Sequence, residues 1–173
     1  MSNMREAYAA THHANLDWKE DRERAIDRIA AAGFADPLGI ALWRAKYLSE
    51  SLAYRDANKR LVDLYRDSRS KHETQFVVEK IVDQVLHEYL SSACRACDGA
   101  REIIVGELRV MCDTCGGSGV RKYDDMGRAR MMSLSLDRIK RLSRSIGWLA
   151  AEVSARDIAV NTVLLVQLER ISS

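Results

Sequence analysis

Four cysteines are the residues of this sequence whose type and spacing most directly indicate chemistry. They form two pairs, Cys94 with Cys97 and Cys112 with Cys115, and the chain has no other cysteine. Two residues separate the members of each pair, and residues 98–111 separate the pairs. Each pair supplies two thiolates, and four thiolates complete the tetrahedral shell of structural zinc sites. We therefore predict one structural Zn²⁺ ion with no open coordination position for a catalytic role.

The residues around the cysteines support this interpretation. Residues 102–105 and 108–111 have the pattern of two short strands, and Gly106 begins the two-residue turn between them, where a positive φ is required. Such a hairpin would bring the two cysteine pairs together. Glycines that can aim backbone amides at sulfur follow both pairs, and they are Gly99, Gly116, Gly117 and Gly119. The alternative, a redox-active C-x-x-C, would need an adjacent βαβ pattern that this chain lacks.

Composition indicates the kind of fold that carries these cysteines. The chain has 173 residues, of which 47% are hydrophobic and 30% are charged, with a single proline. These values are typical of a helix-rich globular protein and exclude a disordered or collagen-like chain. We predict a mainly α fold, a helical bundle with an inserted small zinc-binding β-hairpin module. Its predicted parts are a flexible N-terminal arm (1–16), a helical region (17–93), the zinc-binding hairpin module (94–119) and a basic helical C-terminal region (120–173).

The distribution of apolar residues bears on localisation. The longest uncharged stretch near the C-terminus, residues 158–168, is far shorter than the roughly 18–20 apolar residues that cross a bilayer. The first basic residue is not followed by an apolar run, so we expect no secretory signal, no membrane span and a cytoplasmic protein. In that reducing compartment, clustered cysteines favour a metal site over disulfides.

Hydrophobic periodicity predicts three helices before the cysteines. The first covers residues 17–33. The second starts at Pro37 and either continues through Tyr65 or breaks near Asn58. The third covers about residues 73–90. Its predicted buried face comprises Phe76, Val77, Val78, Ile81, Val82, Val85, Leu86 and Tyr89.

After the cysteines, a polar linker at residues 123–128 precedes a second helical region. Its apolar seam has the spacing of a helix that packs on a partner, at Ile139, Leu142, Ile146, Leu149 and Val153. Ser154 and Asp157 form a possible capping box that would open another helix and create a helix-turn-helix. Arg156, Asp157 and Asn161 would then reach base edges. Because that last helix is rich in apolar residues, packing in the core is the favoured interpretation.

Positive charge is concentrated just after the cysteines. Residues 120–146 carry eight basic side chains against three acidic ones. The eight, which we predict to contact the phosphates of double-stranded DNA, are Arg121, Lys122, Arg128, Arg130, Arg138, Lys140, Arg141 and Arg144. The alternative is a solvated helical face without a nucleic-acid partner.

The cysteine segment resembles the late-gene transcription antiterminators of lambdoid phages, the Q proteins. The likeness covers about the C-terminal half of the chain. It rests on the runs Cys94-Arg-Ala-Cys-Asp-Gly and Cys112-Asp-Thr-Cys-Gly-Gly-Ser-Gly, on the preceding helix that ends in His87-Glu-Tyr-Leu, and on the basic helical tail. DnaJ chaperones share paired C-x2-C motifs with trailing glycines. They usually have four such repeats and a His-Pro-Asp J domain, however, and this chain has neither.

The resemblance implies a protein that acts in the bacterial host cell and binds a DNA element near a phage late promoter. It would engage RNA polymerase paused near that promoter, at the flap of the RNA exit channel and at the sigma factor, and make the enzyme resistant to terminators. A zinc-stabilised, DnaJ-like adaptor that binds protein but not DNA is the alternative. The sequence has no phosphate-binding glycine loop, no H-E-x-x-H and no nucleophile elbow, so we expect neither an enzyme nor a small-molecule substrate.

Overall fold

The structure is a computed structural model, and it describes residues 35–69 and 73–171 together with Arg24, Ile26, Asp27 and Ala30. The predicted arm at residues 1–16 and most of the helix predicted over 17–33 lie outside the described residues, as do the side chains of residues 69 and 167–171. The described part is mainly helical and has one two-stranded antiparallel hairpin beside the cysteines. This arrangement confirms the predicted fold class.

Helix α1 begins where the sequence places a capping residue and a proline. It covers Pro37–Trp43, and the Asp36 carboxylate accepts a hydrogen bond from the Gly39 amide at 3.1 Å. The helix continues into a π-helical turn, Arg44–Leu48. The Lys46 ammonium on this turn lies 3.4 Å from the Asp157 carboxylate, so the turn contacts the last helix of the chain.

The chain breaks between the π-helical turn and helix α2, which covers Ser51–Arg69. Ser49 has a left-handed φ of 57°, which ends the regular helical hydrogen bonding. The uninterrupted second helix and the break near Asn58 are therefore both wrong. Asn58 lies inside α2, and its side-chain amide donates to the Asp83 carboxylate at 2.8 Å. The sequence hides the true break because a left-handed residue is usually glycine or asparagine, not serine.

Helix α3 covers Gln75–Leu90 and confirms the third predicted helix. Most of its predicted face is buried, but Phe76 is 57% exposed, so its assignment to that face is wrong. Phe76 lies in the first turn, where its ring packs beside the Lys80 ammonium on the surface.

The hairpin follows α3 and has the predicted bounds. Strand β1 covers Glu102–Val105 and strand β2 covers Leu108–Met111. They are antiparallel, with Ile103 opposite Val110. Gly106 begins the turn with a φ of 63°, the conformation that the turn requires.

The polar segment after the hairpin contains a short helix that the sequence prediction treats as a linker. Helix α4 covers Asp125–Met132, and the Asp124 carboxylate caps it by accepting from the Gly127 amide at 2.7 Å. The linker assignment for residues 123–128 is wrong from position 125 onward. Hydrophobic periodicity does not predict this helix, because Met132 is its one buried residue and its sequence has no apolar stripe.

Helix α5 covers Leu136–Ile171, a single helix of 36 residues, so the predicted second helix at Ser154 and the helix-turn-helix are wrong. No glycine or proline follows Gly147 in the helix, and the supposed capping residues serve other contacts. The Asp157 carboxylate accepts from the Tyr89 hydroxyl at 2.8 Å. Arg156 pairs with Glu152. Although α5 is long, neither it nor any other helix in the described ranges is apolar enough to span a bilayer.

The largest core lies between helices α1 to α5. The predicted seam of α5 is buried throughout, from Ile139 to Val153, and it faces the buried side of α3. A smaller cluster joins Ile26 and Trp43 to Val160 and Leu164 near the end of α5. The packing of α5 against both clusters supports the interpretation that its C-terminal half belongs to the core.

Candidate metal centre and basic surface

The four cysteine side chains converge at the base of the hairpin. All four are buried free thiols, and their sulfur atoms lie within 4.8 Å of one another. The sulfurs of Cys94 and Cys112 are 4.0 Å apart, and those of Cys97 and Cys115 are 3.8 Å apart. The structure thus brings together all four residues that the spacing selects, and the cluster can hold a metal ion.

The two cysteine pairs have the same pattern of backbone hydrogen bonds. In each turn, the carbonyl of the first cysteine accepts from the amide five residues later. The carbonyl of the second cysteine accepts from the amide three residues later. The bonds are Gly99 to Cys94 (3.3 Å), Ala100 to Cys97 (2.8 Å), Gly117 to Cys112 (3.2 Å) and Ser118 to Cys115 (3.4 Å). The centre is therefore built from two matching turns that the hairpin joins.

Positive φ angles recur at equivalent positions of the two turns. After the second pair they belong to Gly116 (61°), Gly117 (74°) and Gly119 (72°). After the first pair they belong to Asp98 (48°), Gly99 (79°) and Arg101 (72°). The sequence alone does not reveal this equivalence, because an aspartate and an arginine stand where the second turn has glycine. An alignment of the two turns on their cysteines would have revealed it, because the positive φ angles fall one, two and four residues after the second cysteine of each pair.

Gly119 closes the centre. Its amide donates to the Cys115 sulfur at 3.3 Å, and its carbonyl accepts from the Cys94 amide at 2.8 Å. A Cβ atom at this position would lie 2.6 Å from the Gly99 carbonyl oxygen. The two turns therefore approach each other too closely for any side chain here.

The thiols of the centre differ in acidity. Burial raises the pKa of Cys97 to about 11. Burial acts in the same direction on Cys115, but hydrogen bonds from the Gly119 amide and from the neighbouring cysteines outweigh it and lower the pKa of Cys115 to about 6. Of these two thiols Cys115 is therefore the more acidic, and the thiolate is the form that binds a metal.

Two adjacent backbone segments attach the metal module, residues 94–119, to the helices. Ala93 and Val120 form an antiparallel bridge, and the Arg121 amide donates to the Ser92 carbonyl at 2.8 Å. The hairpin itself is largely exposed. Ile103 packs against the cysteines, but Ile104 is 75% exposed and Leu108 is 70% exposed.

Two of the eight predicted DNA-contacting residues are half-buried and pair with carboxylates of neighbouring elements. The Nε and Nη2 atoms of Arg128 donate to the two carboxylate oxygens of Glu88 at 2.7 and 2.8 Å. Arg138 pairs with Glu73. These contacts connect α4 to α3, and they connect α5 to Glu73, two residues before α3 begins. A phosphate would therefore have to displace a carboxylate at either arginine.

Five others are exposed, namely Lys122, Arg130, Lys140, Arg141 and Arg144. The last three lie in the first third of α5, and within the described part of the chain no ion pair engages them. Asp137 is the one acidic residue between positions 126 and 151. We call Lys140, Arg141 and Arg144 the basic face.

Arg121, the eighth residue, turns inward. Its guanidinium carbon lies 4.7 Å from the centroid of the Tyr123 ring. Its Nη1 atom is buried and has no hydrogen-bond partner among the described residues. Arg121 therefore lies apart from the exposed members of the set.

Comparison with known proteins leaves the family open. No family model matches the chain, and no curated protein matches it. The resemblance to the Q antiterminators therefore stays a prediction from the residues quoted for it.

Proposed function

We propose that this protein is a zinc-containing, DNA-binding regulator of transcription of the antiterminator kind. For the metal, sulfurs at the corners of a tetrahedron with zinc bonds of about 2.3 Å lie about 3.8 Å apart. The separations of 4.0 Å for Cys94 and Cys112 and 3.8 Å for Cys97 and Cys115 are close to that value. An all-sulfur set favours zinc over the hard cations Mg²⁺ and Ca²⁺, which take oxygen ligands. With every position filled by sulfur, the zinc would be structural.

The observation that carries the DNA-binding proposal is the basic face of α5. Its three cations are exposed, and no carboxylate of the described residues pairs with them, so a phosphate would not have to displace one. Basic side chains that neutralise phosphates release counterions, and this release drives non-specific DNA affinity. Lys122, beside the metal module, and Arg130, on α4, are exposed as well and would extend the footprint.

The step in transcription is inferred from the resemblance to the Q proteins. We propose that the protein binds double-stranded DNA near a promoter and contacts RNA polymerase and its sigma factor. The result would be an elongation complex that passes terminators. Transcription in vitro with purified protein, from a cognate late promoter through an intrinsic terminator, tests this step, and unchanged termination would overturn it.

DNA binding is tested by the salt dependence of affinity for a short duplex, measured by fluorescence anisotropy. We expect the combined change Lys140→Gln, Arg141→Gln and Arg144→Gln to weaken binding by about 1 kcal/mol or more. The slope of log affinity against log salt should flatten by about 2–3, since each phosphate contact contributes about 0.9.

A matched control separates a specific surface from a general loss of charge. Arg55, Lys59 and Arg66 are exposed on α2, and changing all three to Gln removes the same charge. We expect this control to retain the wild-type salt slope. Equal weakening by both triple variants would show that the basic face is not a DNA footprint.

A second candidate function is favoured by the exposed apolar side chains of the hairpin. Val105, Leu108 and Val110 lie on the hairpin face that also carries Ile103, and they are 58%, 70% and 38% exposed. A zinc-stabilised adaptor would use such side chains to bind protein without DNA. The duplex titration distinguishes the two functions, because an adaptor would bind DNA feebly at every salt concentration.

A further inference from the structure

A cavity of about 300 Å³ lies where the metal module joins the helices. Its walls come from the π-helical turn, α3, α5 and the segment that leaves the metal module. Most of the lining is apolar, with Val85, Val120, Ala150, Val153 and Ile158 around it. An apolar cavity with a few converging polar groups is the usual form of a small-ligand site.

Arg121 lines this cavity and carries an unpaired donor. Its Nη1 atom is buried without a hydrogen-bond partner in the described part of the chain, and a guanidinium carries five N–H donors in all. The ring of Tyr123 lies against the guanidinium, and the Tyr123 hydroxyl is itself fixed by donating to the Ser91 carbonyl at 2.9 Å. The stacking orients the guanidinium and leaves its donors for another group.

The acidic residues of the cavity are already engaged by other partners. Both oxygens of Glu88 accept from Arg128, at 2.7 and 2.8 Å. One oxygen of Asp157 accepts from the Tyr89 hydroxyl at 2.8 Å, and the other faces the Lys46 ammonium at 3.4 Å. Neither carboxylate is left to pair with Arg121.

Among the charged residues that line the cavity, Arg121 is the one that no carboxylate of the described residues faces. Lys46 pairs with Asp157, and Glu88 pairs with Arg128, which also contacts Asp125 at 3.7 Å. A single carboxylate would supply the partner that Arg121 lacks, whereas a phosphate dianion would bring a second negative charge for which the lining offers no unpaired cation. A carboxylate also matches the planar fork of a guanidinium.

We propose that this cavity binds one carboxylate group on an apolar body, held by the Arg121 guanidinium over the Tyr123 ring. The carboxylate would accept from Arg121, and the apolar body would pack on Val120, Val153 and Ile158. Such a group can come from a free organic acid or from an acidic side chain of a protein partner. This site is separate from the basic face, and its occupation does not require DNA.

The test is calorimetric titration of the full-length, metal-loaded protein with benzoate and, separately, with inorganic phosphate. We expect benzoate to bind at one site. The change Arg121→Met keeps the stem that packs on Tyr123 but removes the charge, and it should weaken benzoate binding about 10- to 100-fold. Benzoate that binds the wild type and this variant equally, or that does not bind the wild type, would overturn the proposal.

The adjacent change Lys122→Met is the matched control, because it removes the same charge from an exposed side chain outside the cavity. It should leave benzoate affinity within about twofold of wild type. Phosphate binding that exceeds benzoate binding and is lost in Arg121→Met would show that the site takes phosphate, and the carboxylate proposal would fail.

A second variant keeps the test decisive if Arg121→Met does not fold. Ser154 is exposed and lines the cavity, so Ser154→Asp adds a carboxylate there without removing any buried group. We expect it to weaken benzoate binding, whereas Ser143→Asp, on an exposed part of α5 outside the cavity, should not.

The source of the carboxylate is distinguished by a short acetylated peptide with one glutamate among apolar residues. Competition between this peptide and benzoate, together with tighter binding of the peptide, would indicate a protein partner. Benzoate binding without competition would indicate a free acid. If the triple variant of the basic face loses DNA affinity but still binds benzoate, the two sites are independent.

Discussion

The helical bundle and the metal module differ in how much apolar surface they bury. In the bundle, Leu61, Ile81 and Leu149 are completely inaccessible to solvent. In the hairpin, Ile104 and Leu108 are 75% and 70% exposed, and Ile103 is the hydrophobic side chain that packs on the cysteines. The stability of the bundle therefore comes from hydrophobic burial, whereas the stability of the module depends on its four sulfurs and on the metal ion that they could hold.

The proposed zinc should make the largest difference between the two regions when it is removed. Chelation, or the change Cys94→Ser, is expected to unfold residues 94–119 and leave the helices folded, because structural zinc sites supply about 10–16 kcal/mol. Backbone amide signals in NMR spectra would report the module, and circular dichroism would report the helices.

Acid should act in the same direction as chelation, since protons compete with the metal for thiolates. Metal affinity should fall as the pH decreases. Hairpin amide signals that persist in metal-free protein would show that the module is stable without an ion, and the contrast between the two regions would collapse.

A core truncation should have a smaller effect, confined to the bundle. Leu149→Ala removes a fully buried side chain of α5 and should lower the free energy of unfolding by about 2–5 kcal/mol. The matched change Ile104→Ala in the hairpin should cost less than about 0.5 kcal/mol, because that side chain is 75% exposed. Chemical denaturation checks both, and a comparable cost at the two positions would contradict the comparison.

The smallest expected effect lies within the module and concerns its two matching turns. Arg101 has a φ of 72°, the same value as Gly119 at the equivalent position of the other turn. Arg101→Gly should relieve left-handed strain and stabilise the metal-bound module by up to about 1 kcal/mol, after the entropic cost of glycine.

Gly119→Ala is the complementary change and should destabilise the module, because its Cβ would meet the Gly99 carbonyl oxygen. Thermal unfolding monitored on the hairpin signals measures both variants. If Arg101→Gly is as harmful as Gly119→Ala, the two turns are not equivalent in energy.

Local signals account for what the sequence predicted correctly. The hairpin depends on Gly106 and on the two short apolar strands beside it, and α3 depends on its own apolar periodicity. The four cysteines converge because the turn geometry is encoded within a few residues of each pair. In all of these, the residues that determine the conformation are neighbours in the chain.

Long-range contacts account for two of the errors. Ser154 and Asp157 resemble a capping box, yet Asp157 is held by Tyr89 and Lys46, which lie more than 60 residues earlier in the chain. The break at Ser49 carries no turn residue, and Arg128 looks solvated in the sequence although it is paired with Glu88. Partners distant in sequence decided the contacts of Asp157 and Arg128, whereas the break at Ser49 is local and lacks the glycine or asparagine that usually marks it.

The bridge between Ala93 and Val120 has a consequence for the path of the chain. The chain leaves α3 and returns toward α4 at two adjacent, hydrogen-bonded segments. The residues between these segments therefore form one continuous insertion. A tight turn could replace that insertion and leave the connection from α3 to α4 intact. Because the two ends of residues 94–119 meet, their loss or replacement would leave the ends of the neighbouring helices where they are.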